Sequence, residues 1–320
     1  MIIPHYASLE GALSSLFGPD TSVVHTERVF GGDINKSYAL TLNTGDRIFM
    51  KTNTIENAAF FTAEAAGLSA IAQTGAIKTP AILCTGTENK QTGYSFLLLR
   101  YVESGKKQTD YWEKLAQELA AMHLADTSIF FNSSEGGTNS NLNNADAENS
   151  TKKLFGFFQN NFIGARPQLN TPHKNWIDFF RECRLAPQFK AAEHYFSGTE
   201  RTNITKLLDH LDTFLVEPQK PSLVHGDLWS GNVMCDKNGT ALLIDPAVYV
   251  GHSEADVAMT SLFGGFPRAF YDAYREANPL QPGYKERLDL YNLYHLLNHL
   301  NLFGAGYLNA VNAVVAKFVV

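Results

Sequence analysis

The feature that most limits how this chain can fold is an ordered set of polar residues between positions 225 and 245. The apolar pair Leu223-Val224 leads into His225-Gly226-Asp227-Leu228-Trp229-Ser230-Gly231-Asn232. A second apolar run, Ala241 to Ile244, ends in Asp245, and Asp236-Lys237-Asn238-Gly239 reads as the turn before it. Two short strands about that turn form a hairpin, which returns Asp245 to the side of the loop. The spacing of His225, Asp227 and Asn232 is the H-x-D-x-x-x-x-N spacing of phosphoryl-transfer loops. The residue types explain why. An acceptor hydroxyl needs a carboxylate to orient it and take its proton, and a hard Mg²⁺ needs oxygen ligands. Asp227 is therefore the expected base, and Asn232 and Asp245 are the expected metal ligands. Either aspartate alone reads as a turn cap or a strand end; the ordered set outweighs that reading.

The first hundred residues supply a matching half, read mainly as strands and turns. Ser22 to Phe30 is rich in β-branched residues, and Lys36 to Leu42 with Arg47 to Lys51 reads as a hairpin about Asn43-Thr44-Gly45. Between them lies Phe30-Gly31-Gly32-Asp33, a turn whose Gly31 and Gly32 amides suit an approach to ATP phosphates. It lacks the full G-x-G-x-x-G pattern, and alone it reads as an ordinary turn. Lys51 closes its strand as a point charge for phosphate. Asn57 to Gln73 reads as a helix stopped near Gly75, and its Glu64 is placed to hold Lys51 by an ion pair. Ser95 to Tyr101 is a continuous apolar run, expected for a strand buried on both faces. The backbone of Arg100, Tyr101 and Val102 then lies where an adenine edge can be bonded.

Beyond Glu103 the pattern turns helical. Asp110 and Glu113 have capping-box spacing, and Trp112, Leu115, Leu119 and Met122 follow on one helix face. Further helices are read over 176–193, 199–216 and 286–303. The expected fold class is α+β with two lobes: residues 1–102 as a small antiparallel-sheet N-lobe that binds nucleotide, and residues 103–320 as a mainly helical C-lobe with the catalytic loop and acceptor site. Asn132 to Ser150 is almost all small, polar or acidic and reads as a surface loop, a tolerated insertion rather than a lid.

Composition narrows the partners. Hydrophobic residues are 44 % and charged ones 18 %, too apolar for a disordered chain. The formal net charge of −6 gives no general attraction to phosphate backbones, so no nucleic-acid partner is expected. No apolar run is long enough for a membrane span, and the first residues lack the marks of a signal peptide. Cys84, Cys183 and Cys235 are few and far apart, which fits a reducing cytoplasm.

The loop with Trp229 inside it resembles that of the fructosamine/ketosamine kinases, a branch of the aminoglycoside-phosphotransferase-like, protein-kinase-like fold. Further matching stretches are Gly156 to Asn170, Trp176 to Phe180, Arg184 to Gln188, Ile244 to Ala247, Tyr249 to Ala258, Leu262 to Phe266 and Tyr291 to Leu297. The resemblance implies ATP with Mg²⁺ as cofactors. It implies phosphorylation of the sugar of a ketosamine, at O3, on a small molecule or a glycated lysine or protein amine. The resulting phosphate is unstable and frees the amine, a deglycation. Rival readings are another small-molecule kinase of the same fold, for aminoglycosides or choline-like amino alcohols, and a silent nucleotide-binding scaffold.

Several positions keep two readings. His225 reads as an orienter of the loop rather than a base, and Asp256 as a partner of the loop backbone. Trp229 either stacks on a substrate sugar or packs the loop. His252 and Glu254 either border the acceptor pocket, with a carboxylate for a substrate ammonium, or sit on a solvated loop. Trp176 reads as core, and Cys235 as a buried thiol.

Overall fold

The computed structural model describes residues 3–30, 34–89, 93–131 and 153–319. The expected glycine turn with Gly31 and Gly32, and the polar segment 132–150, lie outside the described residues. The first part of the chain runs β1 (His5–Tyr6), α1 (Leu9–Phe17), β2 (Val23–Val29), β3 (Lys36–Leu42), β4 (Arg47–Asn53), α2 (Ala58–Gln73), β5 (Ile82–Glu88), β6 (Tyr94–Arg100) and α3 (Tyr111–Leu124). Next come β7 (Asn161–Ile163), β8 (Arg166–Gln168), α4 (Trp176–Phe179), α5 (Ala186–Ala191), α6 (Gly198–Asp209), α7 (Leu211–Phe214), β9 (Ser222–Val224), β10 (Val233–Cys235) and β11 (Ala241–Leu243). The chain ends with β12 (Tyr249–Gly251), α8 (Ser253–Leu262), α9 (Arg268–Ala277), α10 (Tyr284–Phe303) and α11 (Leu308–Lys317). No described helix is long and apolar enough to cross a membrane.

Two compact units emerge. The first holds Met1–Leu115 with Gly231–Ala247, and the second holds Ala116–Ser230 with Val248–Val320. This differs from a single cut at residue 102, for a physical reason. The β10–β11 hairpin is bonded into the first unit: Leu243 N–H donates to Lys78 O at 2.9 Å, and Gly105 N–H to Cys235 O at 3.1 Å. A Cβ at Gly105 would lie 2.4 Å from Asp236 O, so only glycine permits that approach.

The first unit is built on one six-stranded sheet in the order β1-β5-β6-β4-β3-β2. It is antiparallel, as expected, apart from the two-residue edge strand β1, which runs parallel to β5. After β1 the chain enters α1, a helix not foreseen from the sequence. Ser8 caps it, its Oγ accepting from Gly11 N–H at 3.0 Å. Strand β6 alternates as a doubly covered strand must. Phe96 and Leu98 pack with Ala12 and Leu13 of α1 on one face, and Leu97 and Leu99 pack with Phe61, Ala65 and Leu68 of α2 on the other. In β4, Ile48 and Met50 join the α1 face. The period of two therefore turns Phe49 and Lys51 toward α2.

The second unit is mainly helical. The helix expected over 176–193 is interrupted by a π-helical turn across Phe180–Leu185. Pro187 supplies no N–H to the carbonyl four residues back, and Arg184 Nη1 bonds that carbonyl, Cys183 O, at 2.9 Å instead. The helix expected over 199–216 divides at His210 into α6 and α7. A capping box forms at Ser197 and Glu200, whereas Asp110 pairs with Lys114 one turn on at 2.9 Å. Trp176 is core as expected, fully buried and stacked 4° from the plane of Tyr249.

Candidate active site

The residues expected to hold phosphate and metal, Lys51, Glu64, Asn232 and Asp245, lie within the first unit. Lys51 Nζ donates to Glu64 Oε1 of α2 at 2.6 Å and also to Asp245 Oδ1. Lys51 and Glu64 side chains are 8 % and 12 % exposed, while Asp245 is 41 % exposed. Burial alone would lower the Lys51 pKa, but Glu64 and Asp245 together raise it well above the usual lysine value. Burial pushes Glu64 up to about 7, against the pull of Lys51 and with the repulsion of Asp245 added. The amine is thus a fixed cation, held by a helix and a strand end, with one of its carboxylates half open to solvent.

Asp245 reaches Lys51 because of the hairpin. Val233 pairs with Leu243, and Cys235 with Ala241. The Asp236 carboxylate closes the turn by accepting from Asn238 and Thr240 N–H at 2.9 and 2.8 Å. At the return end, Ile244 N–H donates to Asn232 O at 3.1 Å, tying the segments that carry Asn232 and Asp245 together. Asp245 has φ 54°, the one non-glycine residue with positive φ among the described residues. Such a conformation costs about 1–3 kcal/mol and tends to mark functional positions. A buried amide oxygen and an acid are the hard, oxygen-only donors that suit Mg²⁺, which takes one or two protein ligands beside phosphate and water. No cluster of three or more His, Cys, Asp or Glu fit for a metal exists among the described residues.

Of the expected hinge residues, Arg100 pairs with Ile48 across the sheet, and its N–H donates to Ala81 O at 2.8 Å. The Arg47 guanidinium covers the Tyr101 ring at 3.9 Å. Val102 follows just beyond β6, half-buried.

Residues 225–230 of the expected catalytic loop belong to the second unit. Strands β9 and β12 are antiparallel, with Val224 opposite Tyr249 and Leu223 opposite Val250. Past Gly251, opposite Ser222, the chain turns into α8, which packs back along β9 toward the residues after Val224. Asp256, in the first turn of α8, accepts from His225 N–H at 2.6 Å and from Gly226 N–H at 2.9 Å. The expected contact with the loop backbone is therefore present. Burial opposes the Asp256 charge, but bonds from His123 and Gly226 and the nearby histidines hold its carboxyl below the usual range. Gly226 has φ 80°, open to glycine at little cost. His225 is fully buried, and its Nδ1 accepts from Asp227 N–H at 3.3 Å. That is an orienting role, as expected. Asp227 itself is half-buried.

Trp229 is 37 % exposed, its ring 6.4 Å from Phe263 and nearly perpendicular to it. The reading of His252 and Glu254 as a solvated loop is corrected, because both are buried. Arg287 binds Glu254 through two nitrogens at 2.7 and 2.8 Å, so the carboxylate already has a cation and is not an open seat for an ammonium. His252 Nδ1 accepts from Glu254 N–H at 3.2 Å and caps α8. Cys235 is half-buried rather than buried.

Residues not foreseen stand behind the loop. His123 Nε2 lies 3.1 Å from Asp256 Oδ2, and Tyr274 joins it from α9. The signal for His123 was its place four residues after Leu119, on the apolar stripe of α3, where an unpaired polar ring is costly. Arg287 gave no such local signal, because its partner lies on another helix.

The family model described as fructosamine kinase matches residues 6–320. A Synechocystis protein named as a probable ketoamine kinase is 38 % identical, over 92 % of this chain and 90 % of its own length. An Arabidopsis thaliana chloroplastic protein-ribulosamine 3-kinase is 35 % identical, over 94 % of this chain and 84 % of its own. The solved structure of a candidate fructosamine-3-kinase from Haemophilus somnus superposes with a TM-score of 0.80 at 26 % identity, covering 98 % of this chain and 97 % of that one. The fold is α+β, of the aminoglycoside-phosphotransferase-like and kinase-like type, and the chain belongs to the fructosamine kinase family.

Proposed function

We propose that this chain transfers the γ-phosphoryl group of ATP to the O3 hydroxyl of a ketosamine sugar. Asp227 orients that hydroxyl and accepts its proton as the oxygen–phosphorus bond forms and ADP leaves. Lys51, held by Glu64, binds phosphate oxygens, and beyond Arg100, whose N–H is taken by Ala81 O, the Tyr101 and Val102 backbone bonds the adenine edge. Asn232 and Asp245 hold Mg²⁺, which when bound neutralises charge on the phosphates. Trp229, exposed beside the loop, offers a face for the sugar. The 3-phosphate then loses phosphate by elimination and the amine is released.

The observation that carries the chemistry is the buried Lys51 held by both Glu64 and Asp245, a cation positioned by two carboxylates from distant parts of the chain. The relatives named for ketoamines and ribulosamines support the acceptor class. Three free cysteines among the described residues support a reducing, cytoplasmic setting.

The test is incubation with Mg-ATP and a panel of ribulose-, erythrulose- and fructose-amines, free and peptide-bound, alongside aminoglycosides and choline. ADP release with a 3-phosphorylated sugar product is expected from the ketosamines. Turnover confined to aminoglycosides or choline would overturn the reading.

A further inference from the structure

Three buried side chains from three helices meet behind the catalytic loop, all within the second unit. His123 of α3, Asp256 of α8 and Tyr274 of α9 are 0 %, 1 % and 0 % exposed. An ionised carboxylate can only accept. His123 Nε2, 3.1 Å from Asp256 Oδ2, must therefore carry the proton. In the neutral ring that leaves Nδ1 as acceptor, and the Tyr274 hydroxyl lies 2.6 Å from it. Asn278 Nδ2 donates to the same hydroxyl oxygen at 3.0 Å. The donors thus run in one direction, from Asn278 through Tyr274 and His123 to Asp256. There the two oxygens also take the N–H groups of His225 and Gly226.

We propose that His123 is a positioning residue for the catalytic loop, acting through Asp256, with the Tyr274 hydroxyl fixing its tautomer. The proposal rests on the reading of Asp227 as the base. His123 shares Asp256 Oδ2 with the His225 N–H and ties the carboxylate back to α3, and a proton pinned on Nε2 keeps a lone pair from facing that oxygen. The Gly226 turn, and with it the direction of Asp227, then has one setting. The residues assigned to nucleotide, Lys51, Glu64, Asn232 and Asp245, belong to the other unit. Loss of the relay should therefore lower kcat and leave the KM for ATP unchanged.

Two amide variants separate this role from packing. In His123→Gln the side-chain amide reaches the Nε2 position and can still donate to Asp256. In His123→Asn it reaches only the Nδ1 position and cannot. With Mg-ATP and a ribulosamine acceptor, the Gln variant should keep most of its kcat, and the Asn variant should fall at least about tenfold below it, the worth of one hydrogen bond to a charged group. Both should share a similar Tm and ATP KM. Equal kcat in the two variants, or kcat that simply follows Tm, would overturn the proposal. Should the Asn variant fail to fold, Tyr274→Phe decides: a severalfold loss of kcat at near-normal Tm supports the relay, and unchanged kcat removes it. Asp227→Asn is measured beside them. If that variant keeps turnover, the base reading and this proposal fall together. If it is inactive while Gln and Asn behave alike, the relay alone falls.

Discussion

At the scale of single residues, the site is a matter of which charges are held and which are left open. Asp227 has its N–H fixed by His225, so Asp227→Asn should keep its place and lose the anion that proton transfer needs. Turnover should drop ~10²–10⁴-fold, the usual cost of removing a general base, with ATP affinity and Tm near wild type. Turnover within a few-fold of wild type would end the role assigned to it. Lys51 poses a different problem, since it is the cation of two carboxylates. Lys51→Met should abolish activity and also lower Tm, because removing one partner of a buried pair costs about 3–5 kcal/mol. Adding Glu64→Gln should restore most of the Tm and none of the activity. Recovery of both would make Lys51 merely structural. Lys51 and Glu64 were legible as a strand lysine followed by a helix, although Lys51 lies inside β4, two residues short of its end, and does not close it. Asp227 was legible from its place in the loop after β9. The Arg287–Glu254 pair was not, since nothing local in either segment says which distant helix supplies the counter-charge.

At the scale of elements, the hairpin β10–β11 decides whether Asp245 can reach Lys51. Its turn chemistry was readable, with Asp236 and Gly239 where such a turn wants them. Its membership in the first unit was not, because that depends on Gly105 and Lys78, far off in sequence. The short helix α1 escaped notice although Ser8, Leu13 and Gly18 mark a cap, a buried face and a stop. Its nine residues lie among strand-like segments and show only a brief period. The π-helical turn was likewise hidden, since it arises from Pro187 and Arg184 acting together. Asp245 ends the hairpin in a left-handed conformation that asparagine tolerates far better than alanine. Asp245→Asn should therefore fold normally, need much more Mg²⁺, and regain part of its rate when Mg²⁺ is in excess. Asp245→Ala should lose stability as well, by about 1 kcal/mol or more of backbone strain. A Mg²⁺ titration and a melting curve on the pair separate the ligand from the turn. An unchanged Mg²⁺ requirement in both would take Asp245 out of the metal site.

At the scale of the whole molecule, two buried histidines of the second unit set how the protein meets acid. His252 and His295 are 3 % and 5 % exposed. Burial pushes each down to about 3 from an ordinary 6.5, helped by the Arg287 charge at His252 and by His299 at His295. Glu254 lies 3.9 Å from His252 Nε2, but its charge is engaged by Arg287 and does little to favour an imidazolium. Both rings are thus neutral in the fold and protonated in the unfolded chain once pH drops below 6.5. A folded-state pKa lower than the unfolded one gives stability that is whole above 6.5 and declines as pH falls toward 3. The unfolded state binds up to two more protons at these histidines, and Glu64, raised to about 7 from 4.5 in the fold, acts in the opposite sense above 4.5 and offsets about one of them. Each histidine contributes up to ~1.4 kcal/mol per pH unit there. The depressed Asp256 acts in the same sense, but only below the ordinary carboxylate range near 3.8, so its effect comes later. Tm should hold steady from pH 8 to about 6.5 and then fall, well before ordinary carboxylates protonate. His252→Asn keeps an acceptor at the Nδ1 position for the cap of α8 and removes one titration, so its Tm should fall less steeply below pH 6.5. A flat wild-type profile down to pH 5, or an equal slope in the variant, would show that the histidines do not limit acid stability.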